Sequence, residues 1–390
     1  MNHLARLTML CLVTISCSPA IPDGLEVVIT DSAGVTIVTA ESLEGLPVRS
    51  LVGPVVDLIS SPDPAEASFS RVTAVLRLAD GRFIVTDGAS RRLKLFGPDG
   101  SYLRNITGAD HSLAEFSAIT AIWLAGRNRI TVFDQRQRHL ITLPIDPGNV
   151  EVAELTSANL RARPVGRLDA GDVLLRNLIF EVPGSGFELT DVAIIRFGSN
   201  GTLLDTVGVW PAARMGRLGE PPLQRVSSPI FEPRLVAAAA GNRLLLSDCR
   251  SAEYSIIDPG EGLTQVVRWP TPDLQVSEDD IRLYREQRLA GLDQEQQRQF
   301  WRSVDGIPVS ENLPACDQLR IDSEGRTWIR SFVRPGSQQQ EWLVFDPDGR
   351  PLFGIELPLV SVVMDLGANH VTVLENDSLD VQRVRVYEIE

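Results

Sequence analysis

Six short apolar runs of this chain end in a polar residue: Asp87, Asp134, Asn177, Asp248, Ser331 and Asn376. Oxygen-bearing side chains drawn together from separate runs could hold Ca²⁺ or another divalent cation, with Asp87, Asp134 and Asp248 as its carboxylates. The same residue types also cap turns, accepting hydrogen bonds from nearby backbone N–H groups, and that role needs no ligand. Capping is the simpler expectation, because no matched ligand motif accompanies the aspartates. Other chemistry is sparse. His111, His139 and His370 are far apart in sequence, so each is expected at a surface or turn. No metalloprotease helix, nucleophile elbow, phosphate-cradling glycine loop or Cys-X-X-Cys pair occurs. No catalytic residue is assigned, and no cofactor is expected beyond that one candidate cation.

The elements that must position these residues follow a repeat. Gly81, Gly126, Gly171, Gly241, Gly325 and Gly367 each sit between two short apolar runs, at intervals of 45, 45, 70, 84 and 42 residues. Three intervals share one period, and the two long ones read as that period with added sequence. Such a period, with several short strands per unit, signals a β-propeller or a related array. In the first unit Val72 to Leu78 alternates as a strand, Asp80-Gly81 turns the chain, and Phe83 to Asp87 runs on as a second strand. Arg92 to Phe96 and Tyr102 to Ile106 follow around a Gly97-Pro98-Asp99-Gly100 turn, which makes one antiparallel meander. The order returns at 118–155, 164–208, 234–269 and 316–357, and a last unit holds only three strands before Glu390.

An open ring would leave exposed strand edges, so one N-terminal run (25–29, 35–38 or 51–58) is expected to complete the last unit. The organisation expected is therefore all-β: 25–59 closing the ring and 60–390 forming a six-bladed propeller of four-stranded antiparallel blades. In such a blade, the loop after strand two and the loop to the next blade share one face. Three insertions fall in those loops, at 178–190, 210–233 and 270–315, and long loops carry function disproportionately. The insertion at 270–315, between blades four and five, has helical signals. Ser277 with Asp280 reads as a capping box, Asp293 with Gln296 as a second cap, and Gly291 as a stop. Tyr284 and Trp301 are expected as anchors of a small helical cap, with Arg282, Arg285 and Arg288 solvated on its surface. Cys249 follows Asp248, and Cys316 opens the next blade on the same face, so the two can pair and staple this insertion.

The stretch Asp80-Gly-Arg-Phe-Ile-Val-Thr-Asp87, with Arg92-Leu-Lys-Leu-Phe96 and Asp99-Gly100, resembles six-bladed propellers of the NHL-repeat type. Ser323-Glu-Gly-Arg-Thr-Trp328 and Trp342-Leu-Val-Phe-Asp-Pro-Asp-Gly349 repeat the likeness. Where bacterial members carry Gly-Pro-Gly-Glu-Phe, this chain has His111-Ser-Leu-Ala-Glu-Phe116 and keeps only Glu-Phe. The resemblance implies a fold and transfers no catalytic residue.

With 37 Lys and Arg against 51 Asp and Glu, the net charge of −14 lacks the basic footprint that nucleic acid needs. A mean hydropathy of +0.01 argues against a polytopic membrane protein. Residues 1–17 read as a targeting segment, with Arg6 before a short apolar run from Leu7 to Ile15. Thr14-Ile-Ser-Cys17 resembles a bacterial lipobox and implies lipidation at Cys17; cleavage after Ala20 is the alternative. The chain is thus expected in the periplasm, at the outer membrane or secreted, touching membrane only through its lipid.

Function is expected to sit on the insertion-bearing face. The reading is a non-catalytic binding module for a protein, peptide or glycan of the cell envelope. Its face candidates are Asp87, Asp134, Asn177, Asp248, Tyr284, Arg285 and Trp301. The alternative is a metal-dependent hydrolase of lactonase type, with a cation held in the central channel.

Overall fold

The structure, a computed structural model, describes residues 25–58, 69–106, 116–156, 162–179, 186–219 and 224–390. The targeting segment with Cys17, His111, and parts of two insertions (180–185 and 220–223) lie outside the described residues.

Four strands come first: β1 (Val27–Ser32), β2 (Val35–Ala40), β3 (Val48–Arg49) and β4 (Leu51–Asp57). Successive antiparallel meanders then follow. The first holds β5 (Val72–Arg77), β6 (Phe83–Asp87), β7 (Arg92–Phe96) and β8 (Tyr102–Asn105). The second holds β9 (Ile119–Leu124), β10 (Arg129–Asp134), β11 (His139–Pro144) and β12 (Glu151–Glu154). The third has β13 (Arg163–Arg167), β14 (Val173–Ile179), β15 (Phe187–Phe197) and β16 (Leu203–Leu218), with β17 (Arg225–Ser227) added at its edge. The fourth has β18 (Val236–Ala240), β19 (Arg243–Ser247), β20 (Glu253–Asp258) and β21 (Gly262–Arg268). Helices α1 (Glu278–Leu289) and α2 (Gln294–Val304) intervene before β22 (Cys316–Ile321), β23 (Thr327–Ser331), β24 (Gln339–Phe345) and β25 (Pro351–Pro358). The last meander is β26 (Val362–Leu366), β27 (His370–Asn376) and β28 (Gln382–Ile389).

This is an all-β propeller arrangement with two small helices. Its core is divided into layers between neighbouring meanders. Ile84 and Leu95 of the first meet Ile130 and Ile141 of the second, and similar layers run on around the molecule. Phe83, Val85 and Phe96 finally meet Leu374, Val384 and Val386, so the last meander packs back on the first. Because second strands are covered on both sides, β6 reads Phe-Ile-Val-Thr-Asp and is buried throughout.

The expected six discrete blades are not what the hydrogen bonding draws. Four sheets of four or five strands stand alone, and an eleven-stranded sheet merges the third and fourth meanders. The join is one parallel pair, Gly166 with Ala239. A Cβ on Gly166 would lie 1.9 Å from the Ala239 carbonyl oxygen, so only the missing side chain lets the two inner edges meet.

The N-terminal strands are shared among three sheets. β4 pairs antiparallel with β28, where Arg385 Nε lies 3.1 Å from an Asp57 oxygen. β2 lies parallel on β21 and β3 parallel on β25. The Gly100 turn presses on the Asp57 carbonyl at φ +84°, and a Cβ there would come within 2.5 Å of it. The first meander therefore touches the closing strand directly.

Candidate functional site

The stretches 178–190 and 210–233, expected as loops, largely continue the strands instead. β15 and β16 stay paired from Phe197↔Leu203 out to Phe187↔Gly216, well past the length of other meanders. Pro211, which cannot donate to a ladder, sits where the register shifts between Thr190 and Asp191, and the Thr190 hydroxyl bonds the Ala213 carbonyl at 2.8 Å. The physical reason is pairing: each added stretch supplies the other with a strand partner.

This long ribbon meets the helical insertion. Arg225 of β17 donates to the carbonyls of Arg302 (2.8 Å) and Asp305 (3.0 Å) at the C-terminal end of α2. Ile230 exchanges backbone bonds with Pro308 and Ser310. Behind them, the fully covered Glu232 carboxylate accepts from Arg214 Nε (2.8 Å), Arg250 (3.2 Å) and the Ser310 hydroxyl (3.2 Å). One carboxylate thereby ties the ribbon, the fourth meander and the end of the helical insertion. Cys249 and Cys316 are disulfide-bonded, with Cα atoms 5.0 Å apart, and Ala315 N–H donates to the Cys249 carbonyl. Arg334 holds the insertion's start through the Asp273 carbonyl and an Asp280 oxygen at 3.8 Å.

Both helices begin with a capping box, Ser277/Asp280 and Asp293/Gln296, which satisfies two N-terminal N–H groups apiece. Tyr284 is half-buried, its ring 5.3 Å from Phe231 in an edge contact. Trp301, expected as a core anchor, is not one: it is 42% exposed, and α2 buries no residue. The helix faces solvent there because its neighbours reach it through backbone carbonyls, leaving the indole outside. Arg285 lies over the Trp301 ring at 5.6 Å and Arg288 over Tyr284 at 5.5 Å, while Arg282 is ion-paired within its helix to Asp279 and Glu286. The Trp301 and Tyr284 rings thus each carry an arginine, within an insertion whose acids outnumber its arginines.

The polar strand ends divide. Asp87 is buried and accepts from the N–H groups of Arg71 and Ala89 and the hydroxyl of Ser90, all within 3.1 Å. Burial raises its pKa, but those bonds and nearby Lys94 outweigh it and hold the carboxyl below the usual range. Asp134 is also buried and accepts from the N–H groups of Ser117, Ala118, Arg136 and Gln137. Asp248 is exposed and accepts from Arg250 N–H at 2.9 Å. Asn376 bonds Asp380, Ser331 ends β23 half-buried, and Asn177 stands opposite Ala193 in the ladder. The Asp87, Asp134 and Asp248 oxygens accept from turn N–H groups, and among the described residues no three His, Cys, Asp or Glu side chains gather as a metal centre. The candidate set Asp87, Asp134 and Asp248 is therefore not brought together.

Sequence reading missed a different constellation. The first strands of the meanders line an axial cavity of about 1390 Å³. Its wall carries Arg77, Arg167, Arg176, Arg243 and Arg320 against Asp169, Asp322 and Asp365. His370, expected at a surface or turn, lies on this wall half-buried, and Arg77 donates to its Nδ1 at 2.9 Å. That bond places the imidazole hydrogen on Nε2, which is buried without a partner among the described residues. Burial, aided by the Arg77 charge, pushes the imidazole down to about 4. Burial pushes the Asp365 carboxyl up to about 7, against the Arg77 N–H and the Arg320 charge. The available signal was a charge inside an otherwise apolar first strand, as in Val72-Thr-Ala-Val-Leu-Arg77 and Val362-Val-Met-Asp-Leu366. His139 begins β11, opposite Asp134 on one side and Glu154 on the other.

No protein-family model matches the chain, and no curated protein matches it in sequence. Similar solved structures include a predicted exported protein from Bacteroides fragilis, at 11% identity and TM-score 0.49, covering 91% of this chain and 99% of that one. Virginiamycin B lyase from Staphylococcus aureus is similar at 11% identity and TM-score 0.39, with 92% and 93% covered. Regucalcin, a calcium-binding protein from Agrobacterium tumefaciens, is similar at 12% and 0.39, with 87% and 96% covered. These likenesses concern chain arrangement, and nothing about ligand or reaction passes from them to this protein. Among the described residues, no helix is long and apolar enough to cross a membrane.

Proposed function

We propose that this chain is an exported six-bladed propeller scaffold that binds a protein, peptide or glycan of the cell envelope through its insertion platform. The count of six takes the two meanders of the eleven-stranded sheet as separate blades, which face each other across a core layer as other neighbouring meanders do. Lipidation at Cys17 would tether the ring to a membrane, with the periplasm or outer membrane as its place. The observation that carries the reading is the pinning of the separate insertions together by Glu232, Arg225 and the disulfide. A surface fixed in this way loses little entropy on binding. Its exposed Trp301, stacked by Arg285, is the kind of residue that anchors interfaces and sugar rings.

The test is a paired comparison of wild type with Trp301→Ala and Arg285→Ala. Captured species would be quantified by crosslinking in envelope fractions and by binding to glycan arrays. Each variant should keep the wild-type melting temperature and lose about tenfold in capture of whatever wild type binds. Capture at wild-type strength by both variants would take the platform out of the function.

A further inference from the structure

The overall charge of the protein is strongly negative, yet its axial cavity is lined by five arginines. Arginines elsewhere in the meanders, such as Arg196, Arg268, Arg330 and Arg385, are ion-paired. None of the cavity arginines has a carboxylate within ion-pair distance among the described residues. Arg167 donates to the Leu124 carbonyl, Arg176 to that of Leu235, and Arg243 to those of Gly325 and Pro347. Arg77 donates to His370, and Arg320 makes no side-chain hydrogen bond among the described residues. The wall acids do not cancel this charge. Asp322 is spent on Arg326 (2.6 Å) and Trp328 Nε1 (2.9 Å), and Asp169 is exposed at the rim. Asp365 remains as one half-buried carboxylate, accepting from the Arg77 N–H at 3.3 Å. His370 Nε2, Thr120 Oγ1 and Arg167 Nε, all on wall residues, are further buried polar atoms without partners.

A guanidinium surrounded by protein and left unpaired is costly, so several around one cavity need a reason. We propose that the axial cavity is a binding site for a small solute bearing a carboxylate or phosphate, held by Arg77 and Arg320 with His370 Nε2–H as a further donor. Arginine's planar fork suits both oxyanions. Arg163 and Arg234 lie beside Arg176, where their charges repel its own, and add positive potential where the first strands begin. This site is independent of the insertion platform.

Calorimetric titration of the full mature protein at low ionic strength, with citrate in one arm and phenyl phosphate in the other, tests it. Saturable binding in either arm is expected, and the responding arm identifies the oxyanion. Arg320→Gln should weaken it about tenfold and Arg320→Lys less. Arg129→Gln, which removes an exposed charge paired to Glu151 on an outer strand, should leave it unchanged. If Arg320→Gln does not fold, Arg77→Gln carries the same expectation. No saturable binding of either probe up to about 20 mM, or equal affinity in the folded cavity variants, overturns the proposal.

Discussion

Two residues on the cavity wall titrate in opposite senses. Asp365 ionises near 3.8 when unfolded and about 7 when folded. Between those values the unfolded chain holds fewer protons, so Asp365 makes stability fall as pH rises. His370 moves from 6.5 down to about 4, so in that window the unfolded chain holds more protons and stability rises with pH. In the wild type the two slopes oppose each other. Asp365→Asn should therefore leave a urea midpoint that climbs from about pH 4 to about pH 6.5, and His370→Gln one that declines across it. Parallel profiles for the two variants would show that these side chains do not sit in the environments described.

At the scale of elements, the helical insertion is held by two separate devices. The disulfide spans 67 residues in sequence, and closing a loop of that length restricts the unfolded chain. Replacing both cysteines by serine should cost about 2–4 kcal/mol, read by urea unfolding. Glu232→Gln leaves Arg214 and Arg250 in place, and both reach solvent, so the loss there should be smaller, about 2 kcal/mol. Its clearer signature is local: limited proteolysis within 270–315 should quicken in Glu232→Gln while the strands stay protected. Uniform quickening along the whole chain would mean that Glu232 supports the ring and not the platform.

The whole molecule depends on closure. β4 is the outer partner of β28, and the Gly100 turn rests against Asp57, so one strand serves both ends of the meander series. A chain lacking residues 1–58 would expose the β28 edge beside Val384 and Val386. It should elute as oligomer or aggregate by size-exclusion chromatography, where the full mature chain elutes as one species. A monomeric truncated chain with an unchanged melting temperature would show that closure is supplied elsewhere.

The meanders were legible in the sequence because each is local. A turn such as Gly97-Pro98-Asp99-Gly100 fixes its hairpin within a few residues, and the apolar runs beside it have the length and composition of strands. The capping boxes of α1 and α2 were readable for the same reason, since both partners lie within one turn. Their neighbours were not. Trp301 looked like a core residue because its helix carries an apolar stripe, but what covers a stripe is decided by residues far off in the chain. The merging of two meanders at Gly166 depended on an approach of backbones 73 positions apart, which no local pattern encodes. The extension of β15 and β16 depended on mutual pairing of two insertions that each look like a loop alone. Arg77, Arg320 and the pair Asp365 and His370 belong to three different meanders, so their charges are neighbours only once the ring has closed. Sequence by itself determined the strands, their turns and the acidic exterior, because those follow from short-range sterics and composition. Tertiary structure alone decided which charges face one another across the axis, because that follows from closure.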